Sequence, residues 1–512
     1  MKTNLASLPA RPAPRWRWRS NLDFLQTRFL RRAFDAMKHL LPLTLLALAS
    51  VSLLAADLPV NPRPNIVFIL ADDLGWADLG CYGADLHETP HLDRLAREGV
   101  RFTQAYAMSV CSPARAAILT GKHAARLNMT VWREGSVERD EQSARSRRKL
   151  LPPVTAHDLP HGEVTLAESL KAAGYLTFHV GKWHLGEGAH APETQGFDLN
   201  IGGTHWGAPN TFFWPFSGSN TFRDFRYVPG LGVGKPGDYL TDRLTDEAIK
   251  LVDAAGQRSF FLNLWFHNPH TPIEGKPALV ERYRAKLKPG LRHQNPEYAA
   301  MIHTLDENVG RLLAHLDRRG LSQRTLVVFT SDNGGYLGEF RGARVTDNTP
   351  LRSGKGSLYE GGIRVPLIAR LPVLTPAGAV CDAPVPCMDF FPTFAELAGA
   401  RADTASDGRS IAVLLREPRA ASPHHALFFH YPHYYATTTP VSAVLAGDWK
   451  LLEYHEDKRV ELFNLKSDPG ETRNVAGEFP QEAAQMREQL HAWQQSVNAQ
   501  PPVPNPNFSG KR

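Results

Sequence analysis

Asp72 and Asp73 form one pair of oxygen-bearing side chains, and Asp332 and Asn333 form another, each just past a long apolar run. Either pair alone would serve to cap a turn. Brought together, three carboxylates repel one another unless a cation neutralises them. Hard oxygen donors select Ca²⁺ or Mg²⁺. Basic residues follow similar runs: Lys182 and His184 in GKWHLG, His270 in NPHTP, and Lys355 in the glycine-rich SGKGSLYEGG. Around a cation they would describe a pocket for a tetrahedral oxyanion. Cys111, in SVCSPARAAILTGKH, is the unusual member. Ser112 suits a helix cap, Pro113 a first turn and Gly121 a helix end, with Arg115 one turn on. A thiol at a helix start among cations should have a lowered pKa. Yet a thiolate is poorly matched to a hard cation.

These residues need a scaffold that delivers strand ends to one place. Asn65–Ala71, SFFLNLWF and TLVVFTS are near-continuous apolar runs, which suit strands buried on both faces. LTFHVG and VPLIARLP are further candidates. Between them lie TPHLDRLAREG, TLAESLKAAGY with a capping box at Thr165 and Glu168, and the long periodic NPEYAAMIHTLDENVGRLLAHLDRRG. The alternation predicts an α/β fold, a large mostly parallel sheet sandwiched by helices. Such sheets gather ligands at the carboxyl ends of their strands. From about residue 420 hairpin-spaced strands and the helix PQEAAQMREQLHAWQQSV predict a smaller C-terminal α+β domain.

The formal charge of +6 does not mark a nucleic-acid binder. Residues 1–56 hold nine Lys or Arg against Asp23 and Asp35, +7 in all, which leaves −1 for the remainder. Met37–Ala56 has a basic start, an apolar stretch and small residues at its end, the pattern of a secretory signal, with Met37 a candidate true start. The expected organisation is a leader at 1–56, a catalytic domain at 57–420, a C-terminal α+β subdomain at 421–500 and a disordered Pro/Asn-rich tail at 501–512. Secretion or a periplasmic location follows, with no membrane association after cleavage. The charge-dense loop at 133–163 reads as a solvated face, with contact to an anionic polymer as the alternative. Cys381 and Cys387 are close enough in sequence for a small disulfide loop, a question left to geometry.

Cys111, Pro113, Arg115, Thr120 and Gly121 match C-x-P-x-R-x-x-x-x-T-G, and this resembles the signature of type I sulfatases, in the alkaline-phosphatase-like superfamily. NIVFILADDLGWADLGCYG, GKWHLG, NPHTP, LDENVGRLL, SDNGG, SGKGSLYEGGIRVP and GDWKLLEY extend the resemblance over most of the chain. It implies that a separate maturation enzyme oxidises Cys111 to Cα-formylglycine, whose hydrate is an oxygen nucleophile suited to a hard cation. It further implies Ca²⁺, rather than Mg²⁺, on Asp72, Asp73, Asp332, Asn333 and residue 111. Asp332 would take the nucleophile's proton, and His270, aided by Lys355, would protonate the leaving oxygen. Lys182 and Lys355 would stabilise the sulfuryl charge, Arg115 would hold the diol, and His184 would release sulfate by deprotonating the second hydroxyl. The implied substrate is a sulfated carbohydrate or aryl sulfate. His205 and Trp206 are the candidates for substrate contact, and FFHYPHYY offers aromatics for a sugar. The competing functions are a phosphoester or phosphonate ester hydrolase of the same superfamily and an inactive binder of sulfated glycans.

Overall fold

The computed structural model describes residues 63–136, 147–219, 224–402 and 405–509, and the leader lies outside the described residues. Among the described residues, nine strands form the central sheet. They include β1 (Asn65–Ala71), β2 (Val100–Tyr106), β3 (Leu176–Gly181), β4 (Leu199–Ile201), β5 (Phe260–Trp265), β6 (Thr325–Ser331), β7 (Arg364–Arg370) and β8 (Ala379–Cys381). Their order is β8-β2-β7-β6-β1-β5-β3-β4, with Val385–Pro386 also on β2. β1 lies between β5 and β6, parallel to both. β7 alone runs against its neighbours, β2 and β6. β1, β5 and β6 are buried at every residue, as expected of strands covered on both faces.

Helices cover the two faces. α1 (Pro90–Glu98), α4 (Leu240–Ala255) and α5 (Pro296–Arg318) pack one apolar layer with Val67, Ile69, Leu262 and Val327. α2 (Cys111–Thr120), α3 (Leu166–Ala172) and α6 (Phe390–Ala398) pack the other with Ile66, Phe68 and Leu70. The capping box forms as expected: Thr165 Oγ1 accepts from Glu168 N, and Glu168 Oε2 from Thr165 N.

A second sheet, antiparallel, contains β9 (Ala426–Tyr431), β10 (Val441–Ala446), β11 (Trp449–Tyr454) and β12 (Val460–Asn464). One face is covered by α7 (Pro480–Ser496) through Met486 and Leu490. The other shares an apolar cluster with Tyr106, Val110, Tyr359 and Ile363. A buried charge cluster ties the same contact, with Lys450 Nζ 2.8 Å from Glu360 Oε1 and 2.9 Å from Glu471 Oε1.

One reading of the sequence changes here, and one open question is answered. The described part of the tail is paired to the body of the chain: Val503–Pro504 pair with Leu150–Leu151, and Asn505 N donates to Lys149 O at 2.9 Å. A backbone ladder thus holds a segment whose composition suggested disorder. Cys381 and Cys387 are unpaired. Cys381 lies opposite Phe102, and Pro386 lies opposite Tyr106, further along the same strand. Four residues of strand amount to roughly 13 Å. A disulfide spans Cα atoms no more than about 7 Å apart.

Candidate active site

The carboxyl ends of β1 and β6 lie side by side, with Ala71 opposite Ser331, so Asp72, Asp73, Asp332 and Asn333 leave the sheet together. All four are buried. Asp73 takes φ +63°, a left-handed conformation costly for a residue with a side chain, and its N–H donates to Asp332 Oδ1. β3, two strands from β1, delivers Lys182 and His184, and β5 delivers His270. Lys355 arrives on the glycine-rich loop before β7.

Each acid meets a base. Lys182 Nζ donates to Asp72 Oδ2 at 2.7 Å. Lys355 Nζ is 2.7 Å from Asp73 Oδ1. Arg115 donates to Asp332 Oδ2 through Nε at 3.0 Å and Nη2 at 2.7 Å, and to Lys182 O at 3.1 Å. Its guanidinium lies 5.0 Å over the Trp265 ring. Arg115 thus pairs with Asp332, and its Nη2 also lies 3.7 Å from Asp72 Oδ1. Burial raises the Asp72 carboxyl to about 7, against the pull of Lys182. Burial acts the same way on Asp73 and Asp332 and is the largest influence on each, but there the neighbouring cations together outweigh it, Lys355 with His270 and Lys182 at Asp73 and Arg115 with Lys182 and Lys355 at Asp332, and hold both below the usual range.

Residue 111 stands at the centre of this cluster. Cys111 Sγ is 3.4 Å from Asp72 Oδ1, 3.9 Å from Asp73 Oδ1 and 3.5 Å from Lys355 Nζ. The expected acidified thiol is corrected: burial and the Asp332 charge push its pKa well up. The helix-start benefit expected from sequence is outweighed by loss of water. Ser112 is also not the cap. The helix starts at Cys111, and Ser112 Oγ donates to His184 O at 2.9 Å while accepting from Arg133 N at 3.0 Å. Gly121 ends the helix with φ +67°, as expected.

His270 Nδ1 faces Thr271 O at 2.7 Å, leaving Nε2 3.6 Å from Asp73 Oδ2. Burial lowers its pKa to about 3. His184 Nε2 is 2.6 Å from Glu134 Oε2. A cavity of about 290 Å³ opens onto Cys111, His184, His270 and Lys355, walled by Trp132, Tyr336 and Tyr435. Tyr435 follows β9, so the smaller sheet contributes to the wall. His205 and Trp206 are not among the residues that wall it, whereas their successors Gly207 and Ala208 are. His205 Nδ1 pairs with Glu187 at 2.6 Å, and Trp206 lies beneath Arg226, whose Cζ is 5.1 Å from its ring. Glu134, in the loop read as a solvated face, was missed. Nothing in that charge-dense run distinguishes it from its neighbours.

The donor set fits a hard cation. Asp72, Asp73, Asp332 and Asn333 can each offer a side-chain oxygen. Asn333 Nδ2 donates to Asp73 Oδ1 and Gly334 O, which fixes the amide. Its buried Oδ1 meets no hydrogen-bond donor among the described residues. Ligand atoms of Asp72, Asp73, Cys111 and His270 lie within 4.8 Å of one another.

This is the arrangement of an esterase acting on a charged tetrahedral ester, and comparison with known proteins narrows the class. Residues 64–400 match the sulfatase family, and residues 354–499 match the N-sulphoglucosamine sulphohydrolase C-terminal family. The chain is 34% identical over 510 residues to a sulfatase of Formosa agariphila, covering 86% of this chain and 90% of that protein. It is 36% identical to human arylsulfatase A over 465 residues, 83% of this chain and 85% of that one. The crystal structure of Ps i-CgsB in complex with k-i-k-neocarrahexaose superposes with a TM-score of 0.70 at 30% identity, covering 84% of this chain and 92% of that chain. The chain belongs to the sulfatase family, in the alkaline-phosphatase-like superfamily, and is a sulfuric ester hydrolase.

Proposed function

We propose that the enzyme removes sulfate from a sulfated carbohydrate, after a maturation enzyme has converted Cys111 to Cα-formylglycine, and that the cation is Ca²⁺. The observation that carries this is the position of residue 111, within 4 Å of Asp72, Asp73 and Lys355 and open to the cavity. When bound, the cation on Asp72, Asp73, Asp332 and Asn333 would polarise the ester and favour the ionised nucleophile. The modified side chain would bring an oxygen nucleophile and a second hydroxyl. Lys355 and Lys182 carry positive charge to the sulfuryl oxygens. His270, once protonated at Nε2 beside the bound anionic ester, would deliver that proton to the departing sugar oxygen, aided by Lys355. Trp132, Tyr336 and Tyr435 offer ring faces to a sugar. The carbohydrate substrate is supported by the ligand named for Ps i-CgsB. Export rests on the signal-like segment at 37–56.

The test is mass spectrometry of the peptide spanning residue 111, from cells with and without a maturation enzyme. It is joined to turnover assays on defined sulfated saccharides before and after chelation. Formylglycine at 111, loss of turnover on chelation, and recovery with Ca²⁺ are expected. Full activity in Cys111→Ala, or turnover indifferent to chelation, overturns the reading.

A further inference from the structure

Glu134 sits in the short turn Arg133–Ser136, at the edge of the cavity, and both of its carboxylate oxygens are engaged. Oε2 lies 2.6 Å from His184 Nε2, and Oε1 accepts from Gly207 N at 2.9 Å. The side chains of His184 and Glu134 are only 3% and 15% exposed. The turn itself is pinned: Arg133 N donates to Ser112 Oγ, which donates to His184 O, and Arg133 Nε donates to Asp158 Oδ1 at 2.6 Å. One chain of contacts thus joins the helix that begins with residue 111, the main chain of His184 and the Gly207 segment. His184 is held at φ +61°, with its N–H bonded to Thr204 O at 3.0 Å. A backbone in that region persists only where its surroundings determine it.

A carboxylate only accepts, so the proton between the two groups belongs to His184 Nε2. Nδ1 is then the ring's accepting atom. It is buried and has no hydrogen-bond partner among the described residues, and His184 and Cys111 both line the cavity. We infer that Glu134 is a positioning residue for sulfate release, fixing the His184 ring in the tautomer whose Nδ1 accepts a proton from the hydroxyl of residue 111. The inference rests on the formylglycine reading above. In the release step, the O–H bond of the second hydroxyl breaks and its proton passes to Nδ1. The carbonyl re-forms as the C–O bond to sulfate breaks, and sulfate leaves with that bond's electron pair. The imidazolium so formed faces the Glu134 charge at 2.6 Å. Burial alone would raise the Glu134 carboxyl, but His184 and the Gly207 N–H hold it well below the usual range. Burial keeps His184 down, at about 4, so the resting pair is an ionised acid beside a neutral imidazole.

The test compares the matured full-length enzyme with Glu134→Gln and Glu134→Asp, using p-nitrophenyl sulfate. Gln offers one acceptor where Glu offers two, so it cannot serve both His184 Nε2–H and Gly207 N–H. In E134Q, kcat should fall about 100-fold, the scale of a misdirected general base. kcat/KM should stay within about threefold, because it reports only the steps up to transfer of sulfate to residue 111, and KM should fall along with kcat. Quenched E134Q should carry covalent sulfate on the peptide containing residue 111, and E134D should recover part of kcat. Nitrogen NMR of His184, which needs no turnover, should show the Nε2–H tautomer in wild type and a mixed tautomer in E134Q. Wild-type kcat in E134Q, a loss confined to KM, or an unchanged His184 tautomer overturns the inference. Failure of the formylglycine reading is separate: wild type would then carry unmodified Cys111. The release role would fall with it, and the tautomer alone would decide whether Glu134 positions His184.

Discussion

Gly207→Ala tests the geometry around His184 without removing any functional group. A Cβ on residue 207 would lie 2.5 Å from His184 Cε1, 2.6 Å from Nε2 and 3.1 Å from Nδ1. Ordinary contact begins at about 3.4 Å, so relief requires a movement on the order of 1 Å. The imidazole is rigid, and its Nε2 is tied to Glu134 at 2.6 Å. Its main chain is held by Thr204 O and Ser112 Oγ. Relief must therefore come from swinging the ring off Glu134 or from shifting the Gly207 segment away from the Glu134 carboxylate. Either way the His184–Glu134–Gly207 clamp opens. A displacement of about 1 Å at a reacting group costs about 100-fold in rate. The overpacking itself should cost about 1–3 kcal/mol of stability. Steady-state kinetics on an aryl sulfate and urea unfolding measure the two effects separately. Gly162→Ala is the control, because a Cβ there meets nothing within 4 Å. If G207A is folded and its kcat lies within about threefold of wild type, the clamp does not govern catalysis and the account of His184 is wrong.

Lys450→Met should destabilise the enzyme by about 3–5 kcal/mol in urea unfolding, because it removes the shared cation of two buried carboxylates, Glu471 and Glu360, and leaves Glu360 only Arg364, at 3.3 Å, among the described residues. The triple replacement of Lys450, Glu360 and Glu471 by apolar or neutral residues should recover much of that loss. Asp306 governs a pH effect away from the active site. Its carboxyl accepts from His91 N and Leu92 N at the start of α1, and burial raises it to about 7. The folded value lies above the unfolded one, so this group's stabilisation is complete below about pH 4 and is lost as the pH rises towards about 7. In Asp306→Asn, melting temperatures across that window should fall less steeply than in wild type. An equally steep fall would remove Asp306 as the source.

What the sequence makes legible here depends on whether a property is written locally. β1, β5 and β6 are visible because burial on both faces demands unbroken apolar runs. A strand end followed by Asp-Asp or Asp-Asn then points to the carboxyl edge of the sheet. The reversed direction of β7 leaves no trace, since VPLIAR is as apolar in either direction. Ser112 illustrates a competition that local rules cannot resolve: a hydroxyl suited to capping is drawn instead to His184 O and Arg133 N, groups supplied by distant segments. The Cys111 thiol fails for the same reason, because its pKa is decided by desolvation and by Asp332, a residue far along the chain. Glu134 is the most instructive case. Its stretch is highly charged, and charge normally means solvent, yet its carboxylate is turned inward because His184 and Gly207 present two donors that nothing else among the described residues satisfies so closely. The residues proposed to bind the anion could thus be found from their own motifs. The residue that orients one of them could be found only from the fold, because positioning is a relation between segments and leaves no signature in either one.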